Sequence, residues 1–118
     1  MRYKHVFAVC AYKDSPYLEQ CIRSLKAQTV PSHIIICTST PSSYIDRLAW
    51  KYGLQVYVRQ GESNIKDDWN FAYSMAEGGL VTIAHQDDMY HRDYSAGLLA
   101  AHKRYPDMTV FTTDYVIV

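Results

Sequence analysis

No apolar run in this sequence is long enough to cross a bilayer. The longest clearly aliphatic one is Ile34-Ile35-Ile36, against the about 20 residues a membrane helix needs. Net charge is absent as well, because 12 basic and 12 acidic side chains cancel. No chain-wide field therefore draws the protein to nucleic acid or to an anionic membrane, and any phosphate binding has to be local. Cysteine is sparse: Cys10, Cys21 and Cys37 are odd in number and form no CxxC pair. That argues against a disulfide or zinc framework and makes buried, reduced thiols the expectation. There is no P-loop, no GxGxxG and no GxSxG, so dinucleotide binding and serine-hydrolase chemistry lose support. Arg2 and Lys4 before Val6 to Val9 only faintly imitate a signal peptide, since the apolar stretch is brief and soon meets Lys13 and Asp14. The expected location is the cytoplasm, at most peripheral to the inner face of the membrane.

What is present is ordinary globular composition, 48% hydrophobic and 20% charged, enough for one compact domain with a core. Tyr3 to Ala11 reads as a strand covered on both faces. Ser15-Pro16 reads as an N-cap and first helical residue, with Leu18, Cys21, Ile22 and Leu25 on one helical face. His33 to Thr38 is a second strand. Pro41-Ser42-Ser43 opens a second helix, with Asp46 completing a capping-box variant from Ser43, and Gly53 ends it in a left-handed cap. Leu54 to Arg59 is a third strand and Gly61 to Asn64 a loop. A third helix is expected from Lys66 or Asp67 to Ala76, burying some of Trp69, Ala72, Tyr73 and Ala76. Another follows from Arg92 or Asp93 to Pro106, and Thr109 to Thr113 makes a fifth strand. Strand and helix alternate four times, which predicts an α/β fold: a Rossmann-like, mostly parallel sheet with flanking helices. The apolar, β-prone terminal run 109–118 leaves an uncovered strand, which predicts a chain continuing beyond residue 118 or a homo-oligomer formed through that strand.

The chemistry concentrates in Leu80 to Tyr90. A buried strand there delivers His85, Gln86, Asp87 and Asp88 to its C-terminal end, where open α/β sheets bind ligands. One or two carboxylates suffice for Mg²⁺ or Mn²⁺, which fill their remaining positions with water and phosphate oxygens. The lesser alternative is that Asp87 or Asp88 caps the following helix, and His85 also suits a hydrogen-bonded strand-end histidine. On an extended strand His85 and Asp87 would share one face, a rule that a turn near Asp87 relaxes. Lys66 stands near a helix start where it and backbone N–H groups suit phosphate, or simply solvent. Asp67 and Asp68 read as caps of that same helix in preference to a second metal site. Trp69 and Tyr12 suit either core packing or stacking on a base or sugar. Asn70 either reaches across the cleft or faces solvent.

Residues Val6 to Thr29 resemble the opening of the family 2 glycosyltransferases of the GT-A fold, in which a strand ends in Pro-Thr-Tyr-Asn and a helix in Ser-Leu-x-x-Gln-Thr. Tyr12, Leu18, Ser24, Leu25, Gln28 and Thr29 carry the match. Asp68-Trp69-Asn70, Gly79 and Ala84-His85-Gln86-Asp87-Asp88 are similar to a branch whose metal motif reads His-Gln-Asp-Asp. The resemblance implies that residues 1–118 are the nucleotide-sugar-binding part of a GT-A domain, the acceptor part and catalytic base lying C-terminal to residue 118.

The activity so implied is metal-dependent, inverting transfer of a sugar from a nucleotide-diphosphate sugar to an acceptor hydroxyl, for cell-surface polysaccharide or glycolipid synthesis. Ala11, Tyr12, Asp14, Ser39, Lys66, Asn70, Gln86 and Asp87 would bind the donor. Asp87 with Asp88 would hold Mn²⁺ or Mg²⁺. Alone, the chain should bind donor weakly and transfer little sugar. The sequence departs from the commoner pattern at Cys37-Thr38-Ser39-Thr40, which offers no carboxylate to read the base, and at His85, which replaces the first acid of Asp-x-Asp. Two rivals stand beside this reading. Ala84 to Asp88 resembles the Ala-His-Pro-Asp-Asp of zinc-dependent sugar N-deacetylases, in which His85 and Asp88 would bind zinc and Asp87 act as base. A non-catalytic nucleotide-sugar-binding module or a receiver-like domain is the other.

Overall fold

A computed structural model of the chain describes residues 3–104 and, beyond them, the short strand Val116–Ile117. Four strands, β1 (Tyr3–Ala11), β2 (His33–Thr38), β3 (Gln55–Val58) and β4 (Gly78–His85), form one sheet in the order β3-β2-β1-β4. Every pairing in it is parallel. Between them run α1 (Leu18–Lys26), α2 (Ser43–Tyr52) and α3 (Ile65–Met75), and after β4 come β5 (Met89–Tyr90), α4 (Tyr94–Arg104) and β6 (Val116–Ile117). β5 and β6 make a separate antiparallel pair.

The central strand shows why both faces must be covered. Along β1, successive side chains alternate between two clusters. Phe7 and Val9 join Leu18, Ile22 and Leu25 of α1, Ile45 and Leu48 of α2, and Tyr94 and Leu98 of α4. Val6 and Ala8 point the other way, to Ile35, Cys37 and Ala72, with Phe71 and Met75 of α3 packed alongside. Three helices thus cover one face and α3 the other. From β1 the chain steps outward through β2 to β3, then crosses back to lay β4 on the far side of β1. The reversal puts a topological switch between β1 and β4, where a crevice opens at the strand C-termini.

The parallel α/β architecture matches the sequence-based expectation, while several helix starts differ. Ser15-Pro16 does not begin α1: they form a preceding turn, the helix starts at Leu18, and Tyr17 stands at the cap without a side-chain bond. The second helix is capped by Ser42 rather than Ser43, its hydroxyl accepting from the Ile45 amide at 3.2 Å, so Asp46 completes no box from Ser43. The third is capped by Asn64, whose amide oxygen accepts from Asp67 N at 2.9 Å. Asp67 and Asp68 therefore lie inside α3 rather than at its cap. Of Trp69, Ala72, Tyr73 and Ala76, some of which were expected to be buried, Ala72 is fully buried while Trp69 and Tyr73 are 41% and 67% exposed. The last helix begins at Tyr94, one residue past Asp93. Gly53 does adopt the left-handed conformation, with φ 67°. The expected strand Thr109 to Thr113 and the helix stop at Pro106 lie outside the described residues. No helix among the described residues is long and apolar enough to cross a membrane.

Candidate functional site

At the C-terminal edge of the sheet a cleft of about 460 Å³ opens between the ends of β1, β2 and β4 and the first turns of α3. Ala11 and Tyr12 supply its floor from β1 and Thr38 from β2; Gln86 and Asp87 stand where β4 ends, and Asp68 and Trp69 form the α3 wall.

The tips of β1 and β4 are tied by one side chain. Gln86 accepts the Tyr12 amide at 2.9 Å through Oε1 and donates to the Tyr12 carbonyl at 3.0 Å through Nε2. An in-plane amide matching both backbone groups holds the two strand ends in register after the ladder stops. β4 does not remain extended: Asp88 N donates to His85 O at 3.1 Å, closing a turn. The turn breaks the two-residue alternation and sets Asp87 at the exposed lip of the cleft, with Asp88 half-buried beside it. Asp87 Oδ1 accepts from the Ser15 hydroxyl at 2.9 Å, and that hydroxyl also accepts from Tyr17 N at 3.2 Å. Its second carboxylate oxygen has no recorded partner among the described residues.

Helix α1 pins the chain that follows the acidic pair. Ser24 Oγ accepts from Tyr90 N at 3.0 Å. The buried Gln28 donates to His91 O at 2.8 Å and accepts from Ser95 N at 2.8 Å. Thr29 donates to Asp93 Oδ1 at 2.9 Å. The Ser24, Gln28 and Thr29 pattern is thus a clasp on residues 90–95 that fixes where Asp87 and Asp88 emerge.

The other predicted residues fall around this core. Lys13 has φ 54°, a left-handed conformation L residues seldom adopt, and its amide donates to Thr40 Oγ1 at 2.6 Å. Asp14 accepts from Ser42 Oγ at 2.8 Å, facing the α2 N-terminus rather than the cleft. Ser39 Oγ is buried with no hydrogen-bond partner. Lys66 and Asn70 are exposed on α3. The structure gathers Ala11, Tyr12, Gln86 and Asp87 around the cleft, and Asp14, Ser39, Lys66, Asn70 and Asp88 lie outside its lining.

Sequence reasoning did not foresee Thr38 and Ser63 in the cleft wall, and it read Asp68, which also lines it, as a helix cap. Asp68 is held by Arg59 Nε at 2.9 Å and by Ser63 Oγ at 3.0 Å, which makes it a largely buried ion pair rather than a helix cap. The available signal was Arg59 itself, a cation at the end of a strand with no acid next to it in sequence. Cys10, at the floor, is raised to about 11 by burial and then by Asp68, and Cys21 and Cys37 to about 12, chiefly by burial. These thiols are protonated and unreactive at neutral pH.

A test for a divalent ion follows from the donor set. Among the described residues no group of three or more His, Cys, Asp and Glu is gathered to hold a metal. A zinc enzyme needs three protein ligands, whereas Mg²⁺ or Mn²⁺ needs one or two carboxylates and takes phosphate oxygens besides. Asp87, exposed with one oxygen uncommitted, and the adjacent Asp88 fit the second requirement.

Residues 6–118 match the model of Glycosyl transferase family 2. The chain belongs to this family. Among solved structures it resembles S. aureus TarS, residues 1–349, with a TM-score of 0.74 and 22% identity over 87% of this chain and 33% of that one. It also resembles the mannosyltransferase PcManGT from Pyrobaculum calidifontis in complex with GDP-Man and Mn²⁺, with a TM-score of 0.68 and 17% identity over 84% of this chain and 32% of that one. The chain thus spans about one third of these structures, and at such identities the likeness establishes a shared α/β fold. No curated protein sequence matches it.

Proposed function

We propose that this family 2 chain binds a nucleotide-diphosphate sugar in the cleft and serves a metal-dependent, inverting glycosyltransferase. The observation that carries the reading is the position of Asp87: an exposed carboxylate with one oxygen uncommitted, at the lip of a cleft built on the β1/β4 switch. The Mn²⁺ and GDP-Man of the Pyrobaculum structure support the same ligand class here.

Asp87, with Asp88, would hold Mn²⁺ or Mg²⁺, and such an ion supplies charge neutralisation on the departing nucleoside diphosphate. The chain's own residues do the positioning. Ser15 orients Asp87, Gln86 locks the strand tips, and the Ala11 and Tyr12 backbone forms the floor under the nucleotide. The clasp from Ser24, Gln28 and Thr29 keeps the acidic turn from shifting. The base that activates the acceptor hydroxyl is proposed to lie C-terminal to residue 118. Family membership favours this reading over the zinc-dependent deacetylase, and the want of a three-residue ligand group among the described residues agrees.

Calorimetric titration with UDP- and GDP-sugars tests it. Binding is expected to require Mn²⁺ or Mg²⁺ and to weaken at least about tenfold in Asp87→Ala, the loss of roughly one charged contact. Equal binding by the variant, or none by the native chain under any metal condition, contradicts the proposal.

A further inference from the structure

Trp69 and His85 pack against each other in the cleft wall, their ring centroids 5.1 Å apart and their planes inclined at 57°. Both line it. The indole is 41% exposed and belongs to neither apolar cluster. Neither the indole N–H nor the imidazole has a recorded hydrogen-bond partner among the described residues. An indole left half open in a cleft, with a free donor on its edge, can cover the apolar C–H face of a sugar ring while its N–H meets a hydroxyl. Ile65, 70% exposed and also in the lining, adds to the apolar surface.

The position along the donor follows from Asp87. A nucleotide-diphosphate sugar runs base, ribose, diphosphate, sugar. His85 is two residues from Asp87 on the same turn at the end of β4, while Thr38 ends β2 and the side chains of Ser63 and Asp68 are tied, through Asp68, to Arg59 just past β3, on the other side of β1 from β4. With the diphosphate at Asp87, the transferred sugar lies nearest the Trp69–His85 pair and the base at the opposite end. We infer that Trp69, steadied by His85, is the platform on which the donor's sugar ring stacks. The inference rests on the donor-binding reading above and adds a sugar subsite to it.

The test uses the indole as its own reporter. Trp50 is 87% exposed on α2 and lines no part of the cleft, so Trp50→Phe leaves Trp69 as the sole tryptophan. UDP, GDP, UDP-N-acetylglucosamine and GDP-mannose are titrated with Mn²⁺. At least one sugar nucleotide is expected to shift Trp69 emission and to bind about tenfold tighter than its parent diphosphate, the scale of one stacking contact. Trp69→Ala should erase that increment and leave UDP and GDP affinity unchanged; Trp69→Phe should restore part of it. Equal weakening of UDP and UDP-sugar in Trp69→Ala would place the base or ribose on the indole and overturn the inference while sparing the donor reading. An unchanged increment in Trp69→Ala overturns it too. No diphosphate binding at all in the native chain overturns both.

Discussion

Gln86 and Tyr12, 74 residues apart in sequence, exchange two hydrogen bonds through one side-chain amide, 2.9 and 3.0 Å long. They are the last link between β1 and β4 before the cleft opens. Gln86→Ala removes both. Because the pair is exposed, the cost in folding stability is about 1 kcal/mol. Donor affinity should fall further, by up to about tenfold, since the freed strand tips must be ordered again on binding. Urea unfolding and titration calorimetry on the same variant separate the two effects.

Ser15 acts on Asp87 from the turn before α1. Removing a group that orients a metal-binding carboxylate costs 10- to 100-fold in many sites; with both groups exposed the low end, about tenfold, is expected here. Ser15→Ala should therefore weaken Mn²⁺-dependent nucleotide binding while changing stability by no more than about 0.5 kcal/mol. Affinity and thermal midpoint measured side by side check this.

His5 connects pH to stability. It is 2% exposed, with Nδ1 2.7 Å from Ser32 Oγ and Nε2 2.7 Å from Thr82 Oγ1, and burial lowers its pKa from 6.5 to about 4. Above pH 6.5 the imidazole is neutral folded and unfolded, and contributes no slope. As pH falls from 6.5 toward 4 the unfolded chain takes up a proton that the folded one refuses, so stability drops, by roughly 3 kcal/mol across that window. Urea midpoints at pH 7 and pH 4.5 should differ more in the native chain than in His5→Gln; equal differences would contradict the assignment.

The parallel sheet was legible because β1 and β2 are apolar on both faces, which only a doubly covered strand tolerates. Helix starts were less so. Ser15 has the chemistry of a cap, but its hydroxyl is drawn to Asp87, a partner 72 residues away that local pattern does not reveal. Asp68 was misread for the same reason: its partner Arg59 lies on a different element. Trp69 carried the periodicity of a core residue yet stands half open, because its neighbour is His85 rather than an aliphatic side chain. The acidic turn itself was readable, since an apolar β-prone run breaks at Gln86 into two consecutive carboxylates.

The central claim is that a divalent ion and a nucleoside diphosphate meet at Asp87. Paramagnetic broadening by Mn²⁺ in amide spectra of the chain, recorded with saturating UDP or GDP, tests this most directly. The account predicts that resonances of Tyr12, Gln86, Asp87 and Asp88 broaden first, that Trp50 and Gly53 on the α2 side stay sharp, and that Asp87→Asn abolishes the selectivity. Broadening centred elsewhere, or unchanged in Asp87→Asn, would contradict it.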